Sequence, residues 1–280
     1  MGWREGAELE ARLFLKSLAS GNDMTTPIAL QLYTLRDAVA NDAIADFAGV
    51  IEKVAAMGYV GVERAFFTET MSAAEATKII QANGLTVASA HAELPLGDEQ
   101  KRLLGIMADA GTDVMIWHGW PRHEDHNSVD GVKRLAELYN RANAVAQANG
   151  LRFGIHNHWW EFEPVGDTYP YRILAAEMEE SIFFEVDTYW VRTGGLDPAA
   201  VLQELGERVP FLHIKDGPTT PEGDMVAVGQ GEMNLPALFE AAHKPEWLVV
   251  ELDRCATDMM TAVQESYTYL TNNVWGRGKV

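Results

Sequence analysis

The sequence predicts an α/β fold, a closed (β/α)8 barrel built as a single domain. Three observations carry that expectation. Short apolar runs alternate with longer amphipathic stretches eight times along the chain. Glycines and capping residues punctuate the alternation where helices should stop and start. Residues 24–280 match the roughly 250 residues of a typical barrel of this kind.

The expected strands are 28–33, 59–63, 86–91, 114–118, 152–157, 182–187, 211–215 and 248–252. Between them, Ile44, Phe47, Ile51 and Val54 share one helical face, as do Val132, Leu135, Leu138, Ala142 and Val145. Ser72 with Glu75 forms a capping-box pattern, and Asp197-Pro198 places a cap before a first-turn proline. Gly58, Gly84, Gly111 and Gly150 each stand where a helix should end before the next strand. Such regular crossover connections build a parallel sheet. An open doubly wound sheet would carry a glycine-rich turn after its first strand. Here that strand runs into Gln31-Leu32-Tyr33-Thr34-Leu35-Arg36-Asp37, without glycine. Residues 1–23 are expected to be an N-terminal extension, helical or disordered, with Leu9, Leu13 and Leu18 apolar.

Composition narrows the functions. The chain has 280 residues, 22 Lys+Arg and 41 Asp+Glu, a formal net charge of −19 and 47% apolar residues. That supports a large core. It argues against nucleic acid and anionic membrane surfaces, which demand positive charge. Cys255 is the only cysteine, so no internal disulfide or thiolate cluster can form, and a cytoplasmic location is expected. No apolar run is long enough to span a bilayer.

The carboxyl ends of the expected strands hold the polar residues. In order they are Gln31 and Tyr33, Glu63, His91, His118, His156-Asn157-His158, Asp187, His213 with Lys215, and Glu251 with Asp253. Buried acids and imidazoles are costly unless paired or bound to metal. Strand alternation puts His213 with Lys215, Glu185 with Asp187, and Glu251 with Asp253 on shared faces. Asp187, His213 and Glu251 should therefore converge from adjacent strands. Two carboxylates with imidazole and no thiolate suit Mn2+, Zn2+, Co2+ or Mg2+.

These segments resemble the xylose isomerase-like TIM barrel family, the sugar phosphate isomerase/epimerases. The resemblance rests on Leu30 to Arg36, His156 to Phe162, Glu185 to Trp190, His213 to Asp216 and Val250 to Asp253. It implies four metal ligands, with Asp187, His213 and Glu251 matching directly. The first position, a Glu in typical epimerases of the family, is His156 here, and Glu161 is its rival for that place. His156 can ligate a metal but cannot serve as the second carboxylate base. Trp190 stands where many relatives have a histidine.

The resemblance implies a metal-dependent isomerase or epimerase acting on a keto-sugar or cyclitol. Glu251 is the expected base beside a carbonyl, generating a metal-stabilised enediolate, with Lys215, Glu161 or His158 for the second proton transfer. Proximity to the cation should lower the Lys215 pKa; a salt bridge to Asp216 or Glu251 is its alternative role. Glu63, His91, His118 and Trp190 are candidate sugar contacts. Trp117, Trp120, Trp159 and Trp160 are expected at the same rim. A lyase, either a dehydratase or a 3-keto-glycoside eliminase, is the alternative. A DNA repair endonuclease is disfavoured by the charge, and a non-catalytic binding barrel is the remaining competitor. The segment 217–233 reads as a mobile flap without an Arg or Lys cluster, which points to a non-phosphorylated substrate. A homodimer or tetramer is expected.

Overall fold

The computed structural model describes residues 25–39, 44–65 and 71–278. The N-terminal extension expected over 1–23 lies outside them. Eight parallel strands close into a barrel: β1 (Thr26–Gln31), β2 (Gly61–Arg64), β3 (Thr86–Ala92), β4 (Val114–Trp117), β5 (Arg152–His156), β6 (Phe183–Asp187), β7 (Phe211–Ile214) and β8 (Trp247–Val250). Each pairs with its successor. β1 closes the ring by pairing with both β2 (Ala29 opposite Gly61) and β8 (Ala29 opposite Val249). A two-residue β9 (Gly276–Arg277), not expected from the sequence, lies beside the start of β1.

Helices α1 (Ile44–Met57), α2 (Ala73–Ala82), α3 (Gln100–Ala108), α4 (Val129–Ala148), α5 (Pro170–Glu177), α6 (Thr188–Thr193), α7 (Pro198–Leu205), α8 (Leu235–Ala241) and α9 (Met259–Asn272) fill the connections. The capping box is formed: Ser72 and Glu75 bond reciprocally at the start of α2. Asp197 caps α7 through the backbone N–H of Ala199. The first strand ends two residues earlier than expected. The Gln31 side chain accepts the Tyr33 backbone N–H at 3.2 Å and starts a 3-10 helix over Leu32–Ala38.

The barrel interior below the site is packed asymmetrically. Phe183 and Phe211 stack with ring centroids 5.5 Å apart, among Ala29, Ala88, Val114, Ile116 and Val249. Gly154 on β5 makes room for the Phe183 ring, since a Cβ there would overlap it. The neighbour is a large ring in a closed layer, so it cannot swing into solvent. Gly154→Ala should therefore lose about 1–3 kcal/mol of stability from overpacking, read from urea unfolding. An unchanged midpoint would show that the layer can give way.

The segment expected as a mobile flap is tied down instead. The buried Asp216 carboxylate accepts backbone N–H groups of Gly217, Gly229 and Met233 at 2.9–3.0 Å, and Met225, Ala227 and Val228 are buried. One carboxylate thus gathers both ends of the loop.

Candidate active site

Local backbone chemistry sets the site. Asp187 ends β6 and caps α6: its Oδ1 accepts the Trp190 N–H at 3.1 Å. The Asn157 side chain bonds the Asp187 backbone N–H and C=O at 3.0 and 3.1 Å. With Oδ1 used as a cap, Oδ2 is turned to the barrel mouth. Lys215, Glu251 and Asp253 lie just beyond the ends of β7 and β8, as alternation requires.

Two layers of polar groups meet at His213. In the upper layer its Nδ1 lies 2.8 Å from Glu251 Oε2 and 3.9 Å from Asp187 Oδ2. His156 Nε2 is 3.5 Å from Asp187 Oδ2. One ligand atom each from His156, Asp187, His213 and Glu251 lie within 4.8 Å of one another. Lys215 Nζ sits 2.9, 2.7 and 2.6 Å from Asp187, Glu251 and Asp253 carboxylate oxygens, and 5.1 Å above the Trp190 ring.

In the lower layer His213 Nε2 lies 2.7 Å from Glu63 Oε1, and His91 Nε2 lies 2.6 Å from Glu185 Oε2. Gln31 Nε2 donates to Glu63 at 2.5 Å, and the Ser89 hydroxyl also donates to it. This pairing fixes the His213 ring. With Nε2 anchored on Glu63, Nδ1 is turned to Glu251 in the upper layer, where giving up its proton to an incoming cation would free a lone pair.

The electrostatics follow the neighbours. Burial would raise the Glu63 and Glu251 pKa values. The cations beside them (His91 and His213; Lys215 and His213) outweigh it and hold both well below the usual carboxylate range. Burial would lower His91, but Glu63 and Glu185 push it up to about 10. His156 and His158 are pushed well below the usual imidazole range, first by burial and then by neighbouring positive charge. Both are neutral at pH 7. Lys215 departs from the expected lowering: burial lowers it, but Asp187, Asp253 and Glu251 more than compensate and hold it as an ammonium.

The donor set fits a divalent cation. Both ring nitrogens of His156 and Oδ2 of Asp187 are buried and make no hydrogen bond. Asp187 Oδ2 lies 2.9 Å from Lys215 Nζ and 3.9 Å from His213 Nδ1, and neither contact has hydrogen-bond geometry. Buried polar atoms left this way cost roughly 1–3 kcal/mol each. A neutral imidazole and a free carboxylate oxygen beside His213 and Glu251 are ligands of the kind such ions take.

Above these groups opens a cavity of about 530 Å³. Glu251, Lys215 and His156 face it from below, with His91 and His118 to one side. His158, Trp120, Trp159 and Trp190 form an aromatic wall; His158 stacks on Trp160 at 4.4 Å. Tyr33, Arg36 and Arg254 line the opposite rim.

The structure thus brings His156, Asp187, His213, Glu251 and Lys215 together, with His91, His118, His158 and Trp190 at the cavity. Glu161 is elsewhere. Its Oε2 accepts the His158 N–H at 2.9 Å and its Oε1 faces His126 at 3.3 Å, so it braces the turn after β5 and is turned away from a ligand position. Glu63 likewise does not line the cavity and instead orients His213. Lys215 pairs with Asp187, Glu251 and Asp253 rather than Asp216, whose oxygens are committed to the backbone. Two charged cavity residues had no sequence-derived role, Arg36 and Arg254, although Arg36 lies in the first motif and Arg254 follows Asp253.

The barrel and this cluster define the class. Residues 51–272 match the family model of the xylose isomerase-like TIM barrel, and the chain belongs to that family. Its fold is similar to a sugar phosphate isomerase/epimerase from Parabacteroides distasonis ATCC 8503. The TM-score is 0.74 at 25% identity, covering 88% of this chain and 93% of that one. It is also similar to an L-ribulose 3-epimerase (TM-score 0.68, 13% identity, 89% and 94% covered). A probable 3-DHS dehydratase from Bacillus anthracis shares the fold too (TM-score 0.65, 12% identity, 88% and 99% covered). No curated protein sequence matches significantly. Among the described residues, no helix is long and apolar enough to cross a membrane.

Proposed function

We propose that this protein is a divalent-metal-dependent isomerase or epimerase acting on a keto-sugar or cyclitol. The observation that carries the reading is the buried donor set of His156 and Asp187, whose ring nitrogens and Oδ2 make no hydrogen bond, facing His213 and Glu251 beneath a cavity. His156, Asp187, His213 and Glu251 would hold the ion. A bound divalent cation would polarise a substrate carbonyl and lower the cost of the negative charge that develops when the adjacent C–H proton leaves.

Glu251 is the base. Its Oε2 is engaged by His213 and Lys215, which leaves Oε1 without a partner among the described residues. Lys215, held as an ammonium in a buried setting, stabilises charge developing on a substrate oxygen. The aromatic wall packs against C–H faces of the substrate and excludes water. A single base suffices if the proton returns to the neighbouring carbon on the same face, which is isomerisation. Two-face epimerisation needs a second proton carrier, and Lys215 and His158 are the groups in the cavity that can take that part.

The test is C–H exchange in D2O with Mn2+ across a panel of keto-sugars and cyclitol ketones. Metal-dependent exchange is expected with at least one member; no exchange with any would contradict the reading. One observation favours a second reading, a lyase: at the strand-five position there is an imidazole and no second carboxylate. One base and one acid complete an elimination. Product mass separates the two, since isomerisation preserves it.

Metal binding should also appear in stability. At about 100 times its Kd, an ion that binds only the folded chain stabilises by about 2.7 kcal/mol. Mn2+ added to chelator-treated protein should then raise Tm by roughly 5–10 °C. No rise at saturating Mn2+ would count against a site.

A further inference from the structure

The cavity rim between β1 and β8 carries two guanidinium groups, from Arg36 and Arg254. The chain has nearly twice as many acids as basic residues, 41 against 22. Five arginines pair with carboxylates: Arg102 with Glu99, Arg122 with Glu163, Arg134 with Asp125, Arg152 with Glu246 and Arg172 with Glu204. Arg36 and Arg254 meet no carboxylate among the described residues. Arg36 donates to the carbonyl oxygens of Tyr33 and Asp253 at 3.0 and 2.6 Å and stacks over the Tyr33 ring, 4.2 Å from its centroid. Among the described residues Arg254 donates to the Pro221 carbonyl alone, at 3.0 Å.

These contacts hold the groups in place without neutralising them. Arg36 bonds the carbonyl of Asp253, the residue immediately before Arg254, so the two positions are adjacent on the rim. Both side chains are half-buried and both line the same cavity as Glu251 and Lys215. Guanidinium groups fixed by backbone carbonyls, with N–H groups to spare, are built for bidentate binding of a carboxylate or phosphate. Lys215, by contrast, is paired with three carboxylates at 2.6–2.9 Å.

We propose that Arg36 and Arg254 form an anion subsite, and that the substrate is an acidic sugar derivative. Its carboxylate or phosphate binds at the rim, and its reacting carbons lie over Glu251. The inference rests on the proposed function for the location of the reacting end. The absence of basic residues from 217–233 does not bear on it, because the cations come from the ends of β1 and β8 instead.

The test uses three ketoses that share a carbon skeleton: D-fructose, D-fructuronate and D-fructose 6-phosphate. Their affinities for the Mn2+-loaded protein are measured by calorimetry, and their C–H exchange in D2O is followed in parallel. At least one anionic member should bind ten times or more tighter than D-fructose, and the advantage should shrink as salt rises. Whether fructuronate or the phosphate gains more identifies the source of the anion.

In Arg254→Gln the ratio of anionic to neutral affinity should fall severalfold, and Arg254→Lys should recover part of it. Arg36→Gln serves as the second variant, with circular dichroism confirming the fold. A ratio near one in the unaltered protein overturns the subsite, as does a ratio that survives both Gln variants. Exchange of D-fructose without anion preference contradicts the subsite alone. Failure of all three sugars to bind contradicts the subsite, and the proposed function falls with it only if the wider panel of keto-sugars and cyclitol ketones also shows no exchange.

Discussion

Glu251→Gln should lower metal-dependent C–H exchange by about 10²–10⁴-fold, the span that a positioned general base contributes. The amide keeps the shape and can still accept from His213 and Lys215 through its oxygen, so the cavity should persist. It cannot take a proton from carbon. It also removes one negative charge from a pocket where Lys215 is held by Asp187, Glu251 and Asp253, so metal affinity should fall as well. Measuring exchange at saturating Mn2+ separates the two effects. Loss that persists at saturation belongs to the base. Full recovery at high Mn2+ would show that Glu251 serves only as a ligand and that another group moves the proton.

Glu63→Ala should have the largest effect on stability. Glu63 is fully buried and receives Gln31, Ser89 and His213, with His91 Nε2 at 3.1 Å. Removing it leaves His91 with Glu185 alone and takes the Nε2 partner at 2.7 Å from His213. Breaking a buried charge cluster at one partner costs about 3–5 kcal/mol. The loss should appear as a lower denaturant midpoint. A milder variant, Glu63→Gln, keeps the volume but weakens the hold on the His213 proton. Loss of a partner that orients a ligating histidine costs about 10–100-fold in metal affinity. An unchanged Mn2+ affinity in Glu63→Gln would mean that the lower layer does not orient His213.

Much of this was legible in the sequence because parallel barrels obey a two-residue period and a fixed active end. All eight barrel strands fall within two residues of expectation at either end. Alternation placed Lys215 beside His213 and Asp253 beside Glu251, and both pairs point into the mouth. What sequence could not supply was direction beyond the strand ends. Glu161 follows β5 closely, yet a 3-10 turn at Trp160–Phe162 directs it to His126 and the His158 backbone. The loop 217–233 has the glycines of a flap, but Asp216, one residue before it, gathers its backbone. Glu63 was legible as a polar strand end. Its partner His213 lies 150 residues away, and only closure of the barrel puts them in contact. Arg36 and Arg254 were hidden for the same reason, being joined only where β1 meets β8.

The most direct measurement is anomalous diffraction at the manganese edge from crystals of the full chain grown with Mn2+. One peak is expected about 2.0–2.2 Å from nitrogen or oxygen atoms of His156, Asp187, His213 and Glu251. A map without a peak at saturating Mn2+, or with its peak away from these four side chains, would contradict the assignment of this barrel mouth as a metal centre.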